Sequence, residues 1–237
     1  MSLSNEVLRS FDQALSTVAA AGLNVQAVLD SRRVTNTLNG LDVSSWPSLL
    51  LLGSTGSLLW EAMRSAGWLS RVDPVDSWCA TRLSELRSSL PMRGVFVFPS
   101  RTPVDVLSLG RAAGWAHPTP LGLGMHPEHG LWLGYRGALL LDCAIPERGL
   151  RNEAPPCESC VGTPCVTACL GGAVEPGGLQ ISACFGQRLS DTPCAQSCAS
   201  RAACPVGPSS RYEAPQVSHH HNSGNRLYRA YSKKEKS

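Results

Sequence analysis

Apolar residues recur at Val7, Leu8, Phe11, Leu15 and Val18, with Ser4 just ahead of them. They return every three or four residues, which predicts an amphipathic helix capped by Ser4 and packed by one face on a core. From Gly22 to Asp42 no period emerges, and Asn39-Gly40 marks a turn. Ser48–Leu52 then predicts a short apolar strand, which runs into the glycine-rich Gly53–Ser57 and a helix from Leu58 to Ala66. A helical pattern through Leu83 and Leu86 follows the segment Asp73-Pro-Val-Asp76-Ser-Trp78. Gly94–Phe98 (GVFVF) reads as a strand bounded by Pro99, and Val104–Ala113 as a helix. In Pro120–Leu141, two apolar runs flank His126-Pro-Glu-His129-Gly130, the pattern of a β-hairpin.

Strand and helix signals fade near residue 150, which predicts an α+β domain over residues 1–150, a module over 151–210 and a tail over 211–237. With 43% hydrophobic residues the chain can bury a core. Its longest strongly apolar stretch, Leu131–Ile145, is broken by Arg136 and Asp142 and falls short of the ~18 residues of a membrane span. A soluble, cytoplasmic protein without a membrane partner is expected. The formal charge of +3 is uneven: residues 211–237 carry +4 and the rest −1. That basic end could meet nucleic acid or an acidic protein, but it lacks a longer basic run, so a solvated, disordered tail is expected and nucleic acid is not an expected partner.

Eight of the ten cysteines lie between Cys157 and Cys204. They form a group of four (Cys157, Cys160, Cys165, Cys169), a single (Cys184) and a group of three (Cys194, Cys198, Cys204) followed by Pro205. Disulfides need an oxidising compartment, and MSLSNEVLRSFDQ has neither the basic n-region nor the apolar h-region of an export signal. Zinc could fill two four-thiolate sites, usually from separated C-x2-4-C pairs. The run C-x2-C-x4-C-x3-C suits instead a compact iron–sulfur cluster wrapped by one loop, and this reading is preferred.

The order of four, one and three cysteines ending in Cys-Pro resembles the twin [4Fe-4S] module of epoxyqueuosine reductase and its relatives, which include reductive dehalogenases. That resemblance implies one cluster held by Cys157, Cys160, Cys165 and Cys204 and another held by Cys169, Cys184, Cys194 and Cys198. Pro156–Cys169 and Arg201–Gly207 also resemble the PC-x2-C-x3-PC-x3-C and RACPVG signatures of short proteobacterial ferredoxin-like proteins. Asp73–Trp78 resembles a His-Pro-Leu-Asp-Arg-Trp type segment of the same group. The His126–Gly130 segment resembles an epoxyqueuosine reductase hairpin that carries His or Asn, Pro-Glu and Gly ahead of an aromatic strand. The resemblance implies a nitroreductase-like N-terminal domain, of the kind that binds base-off cobalamin in cobalamin-processing proteins, followed by a bacterial ferredoxin-like module. It does not extend to epoxyqueuosine chemistry: Asp105, which precedes Ala112-Ala113-Gly114-Trp115, does not match the flanks of the family's proton donor, and the helical-repeat tail that helps hold tRNA is not present in this sequence.

Other candidates each have a plainer alternative. Gly53–Ser57 before a helix could offer backbone N–H groups to an anion, but it lacks the P-loop lysine and the dinucleotide spacing and reads as a tight turn. Asp73 and Asp76 could be an acid/base pair; helix caps are preferred. His126 and His129 could bind metal or move protons, but at a hairpin tip exposure is expected. Cys79 and Cys143 could be redox thiols or axial ligands, though small buried core residues are expected. His219-His220-His221 reads as a solvated tract; the ferredoxin-like resemblance implies that one of them packs near a cluster. Three functions stay open. The preferred one is an electron carrier passing single electrons to a redox partner protein. The second is a reductase whose clusters feed a bound cobalamin or flavin, and the third a zinc-stabilised module that meets RNA through its basic tail.

Overall fold

The computed structural model describes residues 4–38, 40–100, 104–190 and 192–234, so Asn39 of the expected turn and Lys236 of the tail lie outside the described residues. The chain is α+β and divides into two compact units. One comprises Met1–Ala116 with Leu133–Glu153, the other His117–Trp132 with Ala154–Ser237.

The first unit is built on a four-stranded antiparallel sheet of β1 (Val25–Asp30), β2 (Ser48–Thr55), β3 (Gly94–Phe98) and β4 (Leu133–Leu141), in the order β1-β2-β4-β3. Every residue of β2 is buried, because helices cover both faces of the sheet. Val28, Leu50, Leu52, Leu139 and Leu141 meet α1 (Asn5–Ala20), α2 (Leu58–Ser65) and α3 (Pro74–Ser89) on one face. Leu29, Leu49, Leu51, Ala138 and Leu140 meet the 3-10 helix Ser31–Thr37 and α4 (Val106–Ala112) on the other. An apolar run with no polar alternation is the signature of such a doubly covered strand. Burying each Leu contributes about 1.5–3 kcal/mol.

Local signals set the helix starts. Ser4 Oγ accepts from the Val7 N–H at 3.3 Å, as its sequence position predicts. Asp105, weighed in the sequence only against a proton donor, is the N-cap of α4 and accepts from the N–H groups of Leu107 and Ser108, both at 3.1 Å. Asp73 stands at the N-cap position of α3, but its φ of 44° and its geometry give no side-chain cap bond, while Asp76 falls in the first turn. Gly53 belongs to β2 rather than to a turn, at the register shift against β4, where a Cβ would come within 2.8 Å of Leu133 Cδ1.

The second unit is made of short pieces: α5 (Pro164–Thr167), the two-residue strands β5 (Val174–Glu175) and β6 (Gly178–Leu179), α6 (Ile181–Arg188), α7 (Ala199–Ala202) and the long α8 (Ala214–Lys234). Its buried core is small: Leu121, Met125, Leu131, Val174 and Cys204, with Cys157, Cys165, Cys169 and Cys198 packed against it. The expected hairpin over Pro120–Leu141 is not formed. Only β4 is a strand, and residues 117–130 instead fold on themselves through the bridges His117↔Met125 and His126↔Gly130. Within the expected disordered tail, Ala214–Lys234 is a helix. No described helix is long and apolar enough to cross a membrane.

Candidate metal centres

Cys157 sits in the 3-10 turn Pro156–Ser159, Cys160 follows it, Cys165 lies in α5, and Cys204 comes two residues after α7. All four line one small cavity, walled by Pro156, Pro164 and Pro205 and floored by Leu121, Met125 and Leu131. Burial pushes the Cys157 thiol up, and the neighbouring charges of Cys204, Cys160 and Cys165 push it further. Cys165 is raised by burial and by Cys204, and Cys204 by burial with a smaller push from Cys160. These four side chains are one electrostatic group.

Cys169, Cys184 in α6, Cys194 in the 3-10 turn Pro193–Ala195 and Cys198 at the N-cap of α7 line a second space, a cleft of about 870 Å³. Burial raises the Cys184 thiol against the pull of Arg188, and Cys198, Cys169 and Cys194 raise it further. Cys169 goes the other way. Burial opposes its thiolate, but backbone N–H groups of Val174, Ala173 and Gly171 outweigh it, the Ala173 N–H donating to Sγ at 3.2 Å.

Within each set, ionising one thiol makes the next harder to ionise, a cost that a cationic core removes. The donors therefore suit a centre that takes four thiolates together. Among the described residues no three His, Cys, Asp or Glu side chains close on a single metal-ion position. Zinc draws its sulfurs in on bonds of ~2.3 Å, whereas a four-iron cluster binds each thiolate through a different iron. Cys79 is apart from both sets, buried in the core of the first unit with its thiol pushed up by burial to about 11. Cys143 packs at the edge of that core, and its Sγ donates to Asp142 Oδ1 at 3.8 Å.

The surroundings of the second set are cationic. Arg188 donates from Nε to Asn225 Oδ1 at 2.8 Å and from Nη2 to the His221 carbonyl at 3.1 Å, with its guanidinium 4.8 Å from the Phe185 ring centre. Arg201 donates twice to the Leu131 carbonyl, at 3.1 and 2.7 Å, and lies over Trp132 and Tyr212. Burial lowers the pKa of both guanidinium groups. α8 is fastened to this region: His221 Nε2 meets the Cys194 carbonyl at 2.6 Å, Asn225 donates to the Ala195 carbonyl at 3.1 Å, and Tyr228 stacks on Phe185 at 3.7 Å. Of the three histidines, His221 thus touches a cysteine loop and His220 lines the cleft. The two arginines were missed in the sequence, although Arg188 stands four residues after Cys184 and Arg201 three after Cys198, the spacings at which helical side chains share a face.

His126 and His129 are not at an exposed tip. His126 is fully buried; its Nδ1 accepts from the N–H groups of Glu128 and His129, both at 3.1 Å, which leaves the proton of the neutral ring on Nε2. His129 stacks on it at 4.5 Å and bonds Ser210 Oγ at 3.0 Å through Nδ1. The turn is pressed against the segment after Cys204. A Cβ on Gly130 (φ 60°) would lie 2.2 Å from the Val206 carbonyl oxygen, and one on Gly207 (φ 67°) 2.4 Å from the His129 carbonyl carbon. These histidines brace the backbone that carries Cys204.

No protein-family model and no curated protein matches the chain by sequence. Among solved structures, epoxyqueuosine reductase from Bacillus subtilis aligns at 12% identity over 90% of this chain and 69% of its own, with a TM-score of 0.52. In fold, the chain is similar to epoxyqueuosine reductase. A structure of that enzyme with an epoxyqueuosine-modified tRNA stem loop gives 13% identity, the same coverage and a TM-score of 0.53. A B12-trafficking protein of C. elegans aligns at 19% identity over 65% of this chain and 76% of its own, at a TM-score of 0.47. The likeness to epoxyqueuosine reductase extends over most of this chain, and at these identities it is a likeness of fold.

Proposed function

We propose that this chain is an iron–sulfur redox protein carrying two [4Fe-4S] clusters, one on Cys157, Cys160, Cys165 and Cys204, the other on Cys169, Cys184, Cys194 and Cys198, and that it passes single electrons to a partner protein or a bound cofactor. The observation that carries the reading is the parting of eight thiols between two spaces, four lining each, the first four completed by a cysteine from far along the chain. The clusters would supply one-electron chemistry. The protein's own part is to bring the thiols together in fours, to shield the first set with Leu121, Met125 and Leu131, and to donate N–H groups to Cys169.

A second reading is favoured by the likeness in fold to epoxyqueuosine reductase. In it the first unit is nitroreductase-like and binds a cobalamin or flavin that receives the electrons. A zinc module that binds RNA through the basic end of the chain is the competitor to both.

Anaerobic purification with iron, sulfide, zinc and corrin measured against protein, and a visible spectrum, tests all three. The carrier gives about eight irons per chain with matching sulfide and no organic chromophore. The same iron with a corrin or flavin supports the reductase. Zinc without sulfide overturns both redox readings.

A further inference from the structure

The two thiolate sets are alike in donors and unlike in charge. Around the second set, Arg188 and Arg201 are drawn into the protein against neutral partners: the Asn225 amide oxygen, the carbonyls of His221 and Leu131, and the Tyr212 side chain. Among the described residues no carboxylate pairs with either. A guanidinium removed from water without an anion is costly, so such a pair calls for negative charge beside it. The thiolates of Cys184, Cys194 and Cys198 are the anions within reach of Arg188, and Cys198 is within reach of Arg201. Sulfurs of both sets accept backbone N–H bonds, Cys169 in the second and Cys165 and Cys204 in the first, so the difference lies in the cations. The first set has fewer of them. Arg211 donates to the Cys204 carbonyl at 3.2 Å, but it also lines the cleft of the second set, and the exposed Glu158 stands between Cys157 and Cys160.

We infer that Arg188 and Arg201 make the cluster held by Cys169, Cys184, Cys194 and Cys198 the higher-potential centre of the pair, so that an electron entering the protein comes to rest there while the cluster on Cys157, Cys160, Cys165 and Cys204 is reduced only at lower potential. Reduction adds one electron to a cluster and, with no proton taken up, one unit of negative charge. Nearby cations and hydrogen bonds to sulfur favour the reduced form. Arg188 and Arg201 act through the cluster's charge and are tuning residues, not ligands. The inference rests on the two-cluster reading above.

The test is a potentiometric titration of the anaerobically reconstituted full chain, followed by EPR, with iron measured in each sample. The wild type should reduce in two separate one-electron steps. Arg188→Gln should lower the upper step by roughly tenfold in its reduction equilibrium, ~59 mV for a one-electron couple, and leave the lower step in place; Arg188→Lys should restore most of the shift. Cys160→Ala should remove the lower step, and Cys184→Ala the upper one, which assigns the steps even if the arginine variants fail to fold. The inference is overturned if Arg188→Gln retains eight irons with both steps unmoved, or if Cys184→Ala abolishes the lower step instead. A reconstituted chain that takes up no iron and sulfide sinks the two-cluster reading itself, an outcome distinct from two clusters of equal potential.

Discussion

At the scale of single residues, the tightest constraint is the contact of two glycines. Gly130 and Gly207 both have positive φ, and each carries its backbone against the other's segment where a Cβ cannot fit. Gly207→Ala is therefore expected to destabilise the second unit by about 1–3 kcal/mol through strain at that φ alone, more with the clash. On the two-cluster proposal its signature is selective loss of about four of eight irons, read by iron analysis beside thermal unfolding. His126 was legible as a chemically able residue but not as a buried one, because the segment its turn packs against lies far along the chain: Ser210, which bonds its neighbour His129, is 81 residues from it. Asp30 shows a second local effect. Its carboxylate, bonded by the Arg32 side chain and then by the Arg32 N–H, is held down from 3.8 to about 2. A depressed pKa means the stabilisation is present in full above about pH 4 and fades as the pH falls toward 2. Asp30→Asn keeps a capping oxygen and removes the charge. It should cost below about 1 kcal/mol at pH 6, given the exposure of Arg32, and the cost should shrink as the pH falls through about 2, as read by thermal unfolding across that range.

At the scale of elements, what the sequence shows depends on how a segment earns its place. β2 announces itself because both of its faces are apolar, and α1 because one face is. β1 does not: Val25–Asp30 is six residues long, inside a polar stretch, with Val28 buried out of step with a simple alternation. α8 is hidden for a different reason. It is held by polar and aromatic contacts of His221, Asn225 and Tyr228, so it has no apolar stripe for a periodicity to find. Replacing Asn225 by Ala removes the acceptor of Arg188 and the donor to the Ala195 carbonyl, and should cost about 1–3 kcal/mol in a buried setting. Hydrogen exchange should locate the loss in Ala214–Lys234 and the Cys194 loop. Asp105→Ala, which removes both cap bonds of α4, is expected to cost about 1 kcal/mol and to lower the melting temperature of the first unit only.

At the scale of the whole molecule, the chain joins two units that are stabilised by different means. The first has a sheet with two apolar faces; the second has a core of five buried side chains, Cys204 among them, with Cys157, Cys165, Cys169 and Cys198 packed against it. The cysteine grouping was legible because chemistry fixes residue type and spacing; the cationic setting was not, because Arg188 and Arg201 gain meaning only from what covers them. If metal completes the second core, removing it acts on one unit alone. Chelation of the purified protein is expected to abolish amide protection in α6, α7 and α8 while β2 and β4 remain protected, measured by hydrogen exchange before and after iron removal.

The proposed pairing of Cys204 with Cys157, Cys160 and Cys165 would also have an order in time. Cys169, Cys184, Cys194 and Cys198 all lie inside the segment that Cys165 and Cys204 enclose. A chain leaving the ribosome at ~5–20 residues per second exposes every ligand of the inner centre before the outer one can close. If both clusters form as proposed, the outer one is a clasp that can be fastened only last, over a loop whose own ligands are already out.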